Sequence, residues 1–169
     1  MEAIKWSEET LNNMLTEPSA ALVEDLKRLE GDIMVLGAGG KMGPDICVLA
    51  KKASVLGGSD RKIYAVSRFS DAAAAERLRS HGVTVIAADL MDANALQALP
   101  DCKNIIYMAG RKFGTNGTEY LTWGMNAWLP CMVVQRFRQS NIVVFSSGNL
   151  YPNCLLYTSP SPRDKRQSR

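Results

Sequence analysis

The sequence predicts an α/β chain built on a doubly wound, parallel sheet with its strands in the order 3-2-1-4-5. Two observations carry this. From residue 32 onwards, short continuous apolar runs alternate with segments of helical period, and strands buried on both faces read as unbroken apolar runs. Between the first such run and the first such helix stands a glycine-rich turn, Gly37-Ala38-Gly39-Gly40-Lys41-Met42-Gly43. A turn of that composition is what a strand needs to reverse into a crossover helix.

The elements follow in order. Residues 1–31 read as a helical extension. Thr16-Glu17-Pro18 looks like a helix start, Leu22, Val23, Leu26 and Leu29 recur at helical spacing, and Gly31 stops the helix. Strands are expected at Ile33–Leu36, Ile63–Val66, Val83–Ala87, Asn104–Met108 and Ile142–Phe145. Helices are expected over 43–56, 71–81, 92–99 and 118–139. The last of these puts Leu121, Met125, Leu129, Met132 and Val133 on one face, with Pro130 as a kink point.

Composition narrows the class. With 169 residues, 46% hydrophobic and 22% charged, the chain has the size and balance of one globular domain. No apolar run approaches the ~20 residues of a membrane span. The N-terminal MEAIKWSEETLNN has no apolar signal core, which predicts a cytoplasmic protein. Cys47, Cys102, Cys131 and Cys154 lie far apart, an argument against zinc or a disulfide framework. His81 is the only histidine. It precedes Gly82 at an expected helix end, where a surface position is the simpler reading, and it leaves little material for a metal site or a Ser/His/Asp triad.

Residues 154–169 (CLLYTSPSPRDKRQSR) have no structural period. They resemble the in-frame translation of an adapter used in DNA library preparation, and are set apart from the fold. The expected domain is therefore 32–153, truncated after the fifth strand. The chain carries 20 basic and 17 acidic residues; without that tail the balance is 16 against 16. The charge then gives no argument for a nucleic-acid or membrane partner.

Glycines 37, 40 and 43 form the spacing GxxGxxG; Met42 stands where GxGxxG would need its last glycine. The expected tasks are a tight turn, close approach of backbone to phosphate, and packing of helix on strand. The helix N-terminus adds free N–H groups and a partial positive charge. Gly37, Gly39, Gly40, Lys41, Met42 and Gly43 are thus candidates to hold the pyrophosphate of NAD(P). The second strand ends in Ser67-Arg68. An acid there would bind the adenosine ribose hydroxyls, whereas Arg68 can pair with a 2′-phosphate. NADP is therefore favoured over NAD, against the alternative of a solvated surface arginine. Asp89-Leu90 follows the third strand, where the carboxylate could accept from adenine or simply shape a loop. Met108-Ala109-Gly110 ends the fourth strand; small residues there would let the cofactor pass close, or make an ordinary turn.

The LGAGGKMG turn, Ala-Asp-Leu at 88–90, Met-Ala-Gly at 108–110, Asn126 and Phe145-Ser146-Ser147-Gly148-Asn149-Leu150-Tyr151 together resemble the extended short-chain dehydrogenase/reductases. More narrowly, they resemble the NAD(P)-dependent epimerase/dehydratase family of sugar-nucleotide enzymes. The resemblance covers about residues 32–152. It implies a Rossmann fold, Asn126 at the cofactor, and Ser147 as the active-site hydroxyl bonded to the substrate oxygen, with Ser146 as the fallback. It also implies a homodimer and a small-molecule substrate, a nucleotide sugar. That family's acid/base is a Tyr-x-x-x-Lys pair. Tyr64, Tyr107, Tyr120, Tyr151 and Tyr157 all lack a lysine four residues on. The expectation is hydride transfer at a secondary alcohol by the parent protein and little or no activity in this chain. The alternative is a non-catalytic, redox-sensing or regulatory NAD(P)-binding module.

Overall fold

The computed structural model of the chain describes residues 7–111 and 116–146. Five parallel strands, β1 (Ile33–Leu36), β2 (Ile63–Ser67), β3 (Thr84–Ala87), β4 (Asn104–Tyr107) and β5 (Asn141–Val144), lie in the order β3-β2-β1-β4-β5. This is the order the alternation predicts. Central β1 pairs Ile33 with Ile63 on one side and with Asn104 on the other. All four of its residues are buried, as its unbroken apolar run requires.

Side chains alternate across the sheet and divide the core in two. Ile33 and Val35 join Cys47, Val48 and Ala53 of α3 (Gly43–Leu56) and Leu78 of α4 (Ala72–Ser80). Met34 and Leu36 join Leu96 of α5 (Ala93–Gln97) and Leu129 and Val133 of the last helix, α7 (Leu129–Arg136). Helices therefore cover both faces, and the fold is the doubly wound Rossmann type.

The N-terminal segment differs from the reading of its sequence. It forms two helices, α1 (Glu8–Leu15) and α2 (Ala20–Arg28), and Thr16-Glu17-Pro18 does not start the second. Thr16 ends α1, buried, its hydroxyl donating to the Asn12 carbonyl at 2.8 Å. Ser19 caps α2 by accepting from the Leu22 N–H at 3.2 Å. Proline disfavours helical geometry in the residue before it, so the chain breaks at Glu17 and the next hydroxyl takes the cap. Leu22, Val23 and Leu26 of α2 then pack on the first core. Buried Arg61, just before β2, donates to the carbonyls of Leu26 and Leu29 and so closes the end of α2.

The expected 118–139 helix is also interrupted. α6 (Glu119–Trp123) passes into a π-turn, Gly124–Trp128, before α7 resumes at Leu129. Leu129 and Val133 of the expected inner face are buried, and Met125 and Met132 pack against them. β5 pairs only with β4 among the described residues, and Val143, Val144 and Phe145 are exposed. No helix among the described residues is long and apolar enough to cross a membrane.

Candidate functional site

A parallel sheet presents the ends of all its strands, and the loops that follow them, along one edge. The central strands bring the glycine turn, Ser67-Arg68 and Met108-Ala109-Gly110 together there. Backbone bonds fix the arrangement. The amides of Gly37 and Ala38 both donate to the Val66 carbonyl, at 2.9 and 3.1 Å, and the Met108 amide donates to the Leu36 carbonyl at 2.8 Å.

The glycines divide by what a side chain would meet. Gly37 has φ +90°, and a Cβ on it would stand 2.5 Å from the Ala109 nitrogen. It is the tight turn, pressed against the end of β4. On Gly43 a Cβ would stand 2.3 Å from the Ala38 carbonyl oxygen, so this glycine lets α3 close onto the turn. A Cβ on Gly39 would meet the Ser67 hydroxyl at 2.5 Å; the sequence offered Gly39 as a cofactor contact but gave no sign of this contact with β2. Gly40 is different. Its nearest neighbour would be the Gly37 carbonyl oxygen at an ordinary 3.6 Å. No contact among the described residues requires glycine at 40, and its exposed face is open.

The start of α3 is equally open. Met42 is its N-cap and supplies no side-chain hydrogen bond, and Pro44 follows in the first turn. Free N–H groups at such an end, with the helix dipole behind them, suit a phosphate. Asp45 is the one acid in that first turn. Its carboxylate is bound by the Arg77 guanidinium of α4 at 2.7 Å, which offsets its repulsion of an anion.

The remaining candidates fall as follows. Lys41 and Arg68 are exposed beside the turn, and Arg68 forms no ion pair among the described residues. Asp89 is exposed and uses one carboxylate oxygen to accept from the Met91 amide at 3.0 Å, a loop-shaping bond. Leu90 sends its side chain into the second core, leaving only backbone for a ligand. Met108 packs against the first core, and Ala109 against the second. Asn126, in the π-turn, accepts from the Arg111 amide at 2.8 Å and donates to the Arg111 carbonyl at 2.9 Å. It pins the chain directly after Gly110. Ser147 lies outside the described residues; Ser146, before it, is exposed at the end of β5.

Tyr107 was not legible as a site residue. It is buried on β4, and its hydroxyl donates to the Met125 carbonyl at 3.1 Å. The only sign in the sequence was Pro130, which deprives a carbonyl upstream of a donor. Burial pushes the Tyr107 phenol up from 10.0 to about 12, so it remains a donor at neutral pH. The folded value lies above the unfolded one. The stabilisation this implies is complete below about pH 10 and is lost as pH rises towards 12. Urea midpoints should fall over that window, and fall less in Tyr107→Phe.

Burial likewise pushes the Cys47 thiol up to about 12, so it stays protonated and unreactive. Among the described residues no cluster of His, Cys, Asp or Glu could hold a metal ion. Two cavities, of about 410 and 570 Å³, lie around Lys51, Lys52, His81 and Arg77. Neither contains a residue of the glycine turn. His81 itself is exposed, in agreement with its reading as a surface residue.

No protein-family model matches the chain, and no curated protein matches it. Solved structures do. Helicobacter pylori ADP-L-glycero-D-manno-heptose-6-epimerase matches over 79% of this chain and 46% of its own, with a TM-score of 0.60 and 17% identity. Pen from Bacillus thuringiensis matches over 69% and 37%, with a TM-score of 0.59 and 14% identity. The Bordetella bronchiseptica enzyme WbmF, solved in complex with NAD+, matches over 70% and 37%, with a TM-score of 0.50 and 16% identity. The chain thus spans less than half the length of each. Likeness at these identities is likeness of fold, and it agrees with the strand order, the glycine turn and the two-faced core: the chain has the Rossmann fold that these proteins share.

Proposed function

We propose that this chain is the dinucleotide-binding part of an NAD(P)-dependent epimerase/dehydratase or reductase of the extended short-chain dehydrogenase/reductase type. The single observation that carries the reading is the open cradle at the end of β1. Gly40 has room over its backbone, and the start of α3 beside it has no side-chain cap. The resident group of such a cradle is a dinucleotide, whose nicotinamide supplies the site that accepts or returns a hydride. Gly39, Gly40, Lys41 and the α3 N-terminus hold its pyrophosphate. Gly37 and Gly43 let the turn take its shape. Ser67, Arg68, Asp89 and the Leu90 backbone flank the adenosine end, and Met108, Ala109, Gly110 and Asn126 bound the middle of the groove.

The substrate is a secondary alcohol on a nucleotide-linked sugar, and Ser147 hydrogen-bonds its oxygen as alcohol becomes ketone. The likeness to a sugar-nucleotide epimerase and to an NAD+-bound enzyme supports this. The same reading makes the protein cytoplasmic and its full-length parent a homodimer, in keeping with exposed Tyr120, Trp123 and Trp128. The domain is 32–153, with 1–31 as a helical extension and 154–169 as a foreign tail.

Titration with NADH and NADPH, following nicotinamide fluorescence, tests the site. Binding of at least one is expected, and binding of neither to folded protein refutes the reading. Arg68→Ala should weaken NADPH about tenfold and NADH little, as loss of a charge-assisted bond to the 2′-phosphate requires. Equal effects on both would remove Arg68 from the site. A non-catalytic redox-sensing or regulatory module is the second reading. The natural coding sequence after Asn153 separates the two: the motif there supports the enzyme, and a complete frame without it supports the sensor.

A further inference from the structure

We infer that Tyr107 is a positioning residue: its hydroxyl holds the π-turn in the register that lets Asn126 clamp the chain leaving β4 and so shape the floor of the nucleotide groove. The inference rests on the reading of that groove as a dinucleotide site and deepens it.

In an α-helix each carbonyl accepts from the N–H four residues on; in a π-turn the partner lies five residues on. Across Gly124–Trp128 the wider spacing holds, and the Leu129 N–H donates to the Gly124 carbonyl. The Met125 carbonyl has thereby lost its α-helical donor, Leu129. Its π-type donor would be residue 130, which is proline and has no N–H. The α register would give it the Leu129 N–H, but in the π register present here it has no helical partner. A carbonyl packed against a core needs another donor, and the Tyr107 hydroxyl is there at 3.1 Å. Tyr107 is 4% exposed on the rigid end of β4, so the donor is fixed in place.

Asn126 is the next residue. Its side-chain amide makes two bonds, to the Arg111 N–H at 2.8 Å and from Nδ2 to the Arg111 carbonyl at 2.9 Å. Its Oδ1 lies only 3.4 Å from where a Gly110 Cβ would stand. The Arg111 guanidinium in turn donates to Thr118 at the start of α6, at 3.1 Å. The chain from Tyr107 through Ala109 and Gly110 to Arg111 is therefore returned to Tyr107 through Asn126 and Met125, as a closed ring. Ala109, inside that ring, is the residue against which Gly37 of the phosphate turn is pressed. Opening the ring at the Tyr107 hydroxyl frees the π-turn to shift register, and Asn126 moves with it.

The test uses the full chain. Amide exchange at Arg111 is followed by NMR, and NADH affinity by fluorescence. Tyr107→Phe should speed exchange of the Arg111 amide about tenfold and raise the NADH Kd several-fold, on the order of one lost hydrogen bond. Adding Pro130→Ala to Tyr107→Phe restores an N–H five residues after Met125, and both readouts should return towards wild type. Asn126→Ala breaks the clamp without touching the core and should reproduce both defects, which covers the case in which Tyr107→Phe folds poorly. Unchanged Arg111 exchange in folded Tyr107→Phe overturns the inference, as does a double variant no better than Tyr107→Phe. An unchanged Kd in Asn126→Ala overturns the link to the groove. Arg111 exchange is read without any ligand. Failure of wild type to bind NADH, with the exchange effect and rescue intact, would therefore sink the dinucleotide reading and leave the clamp standing.

Discussion

Gly43→Ala is expected to cost about 3 kcal/mol of stability, the upper part of the range for forcing atoms into a packed site. The reason is that its obstacle is backbone. A Cβ there would lie 2.3 Å from the Ala38 oxygen and 2.6 Å from its carbonyl carbon and Cα. No side chain can rotate away. Either α3 lifts from the turn, exposing Cys47 and Val48, or the turn itself shifts against β2. For a domain of this size such a loss lowers Tm by about 10 °C. Gly37→Ala should be comparable, since it adds the strain of φ +90° to a 2.5 Å approach to Ala109. Thermal melts read both effects. A Gly43→Ala protein melting within a degree or two of wild type would show that α3 and the turn are not packed as described.

Gly40→Ala should produce the opposite pattern. Its Cβ would meet nothing closer than the Gly37 oxygen at 3.6 Å, and its backbone lies outside the left-handed region. Stability should change by less than about 0.5 kcal/mol, as for an unobstructed surface substitution. NADH binding should weaken on the order of 10- to 100-fold, because the methyl occupies space that a phosphate needs and holds it off the N–H groups of α3. Fluorescence titration beside a melt separates the two quantities. Near-native affinity in a stable Gly40→Ala protein would place the phosphate elsewhere. The contrast matters because three glycines at equal spacing are then distinguished by what each excludes.

The elements that could be read from the sequence are those specified by local pattern. Ile33–Leu36 reads as a buried strand because a strand covered on both faces has no place for a polar residue. The capping residues Asp71 and Asp92 accept from their own helix starts, a device written entirely within a few residues. The helix break near residue 17 was harder. Thr16 and Ser19 can both cap, and Thr16 was drawn into the interior, where Lys52 of α3 donates to its hydroxyl at 2.9 Å. That contact spans 36 positions and leaves no local mark. Among the candidate site residues, the glycine turn, Ser67-Arg68 and Met108–Gly110 could be placed at one edge from the sequence because strand ends in a parallel sheet must converge. Leu90 was named with Asp89 by its place after β3, and only packing shows that its side chain faces the core.

By itself the sequence determined the α/β class, the strand order, the glycine turn between β1 and α3 and the neutral charge balance of residues 1–153. Each follows from periodicity, composition or a handedness rule that can be read along the chain. Tertiary structure alone decided which glycine meets which wall, which cation pairs Asp45 at the start of α3, and how Asn126 is aimed. Those outcomes depend on pairs distant in sequence: Gly37 with Ala109, Asp45 with Arg77, Tyr107 with Met125. The Met125 carbonyl, without a helical donor in the π-turn, takes one that only the fold brings to it, the hydroxyl of a tyrosine eighteen residues away.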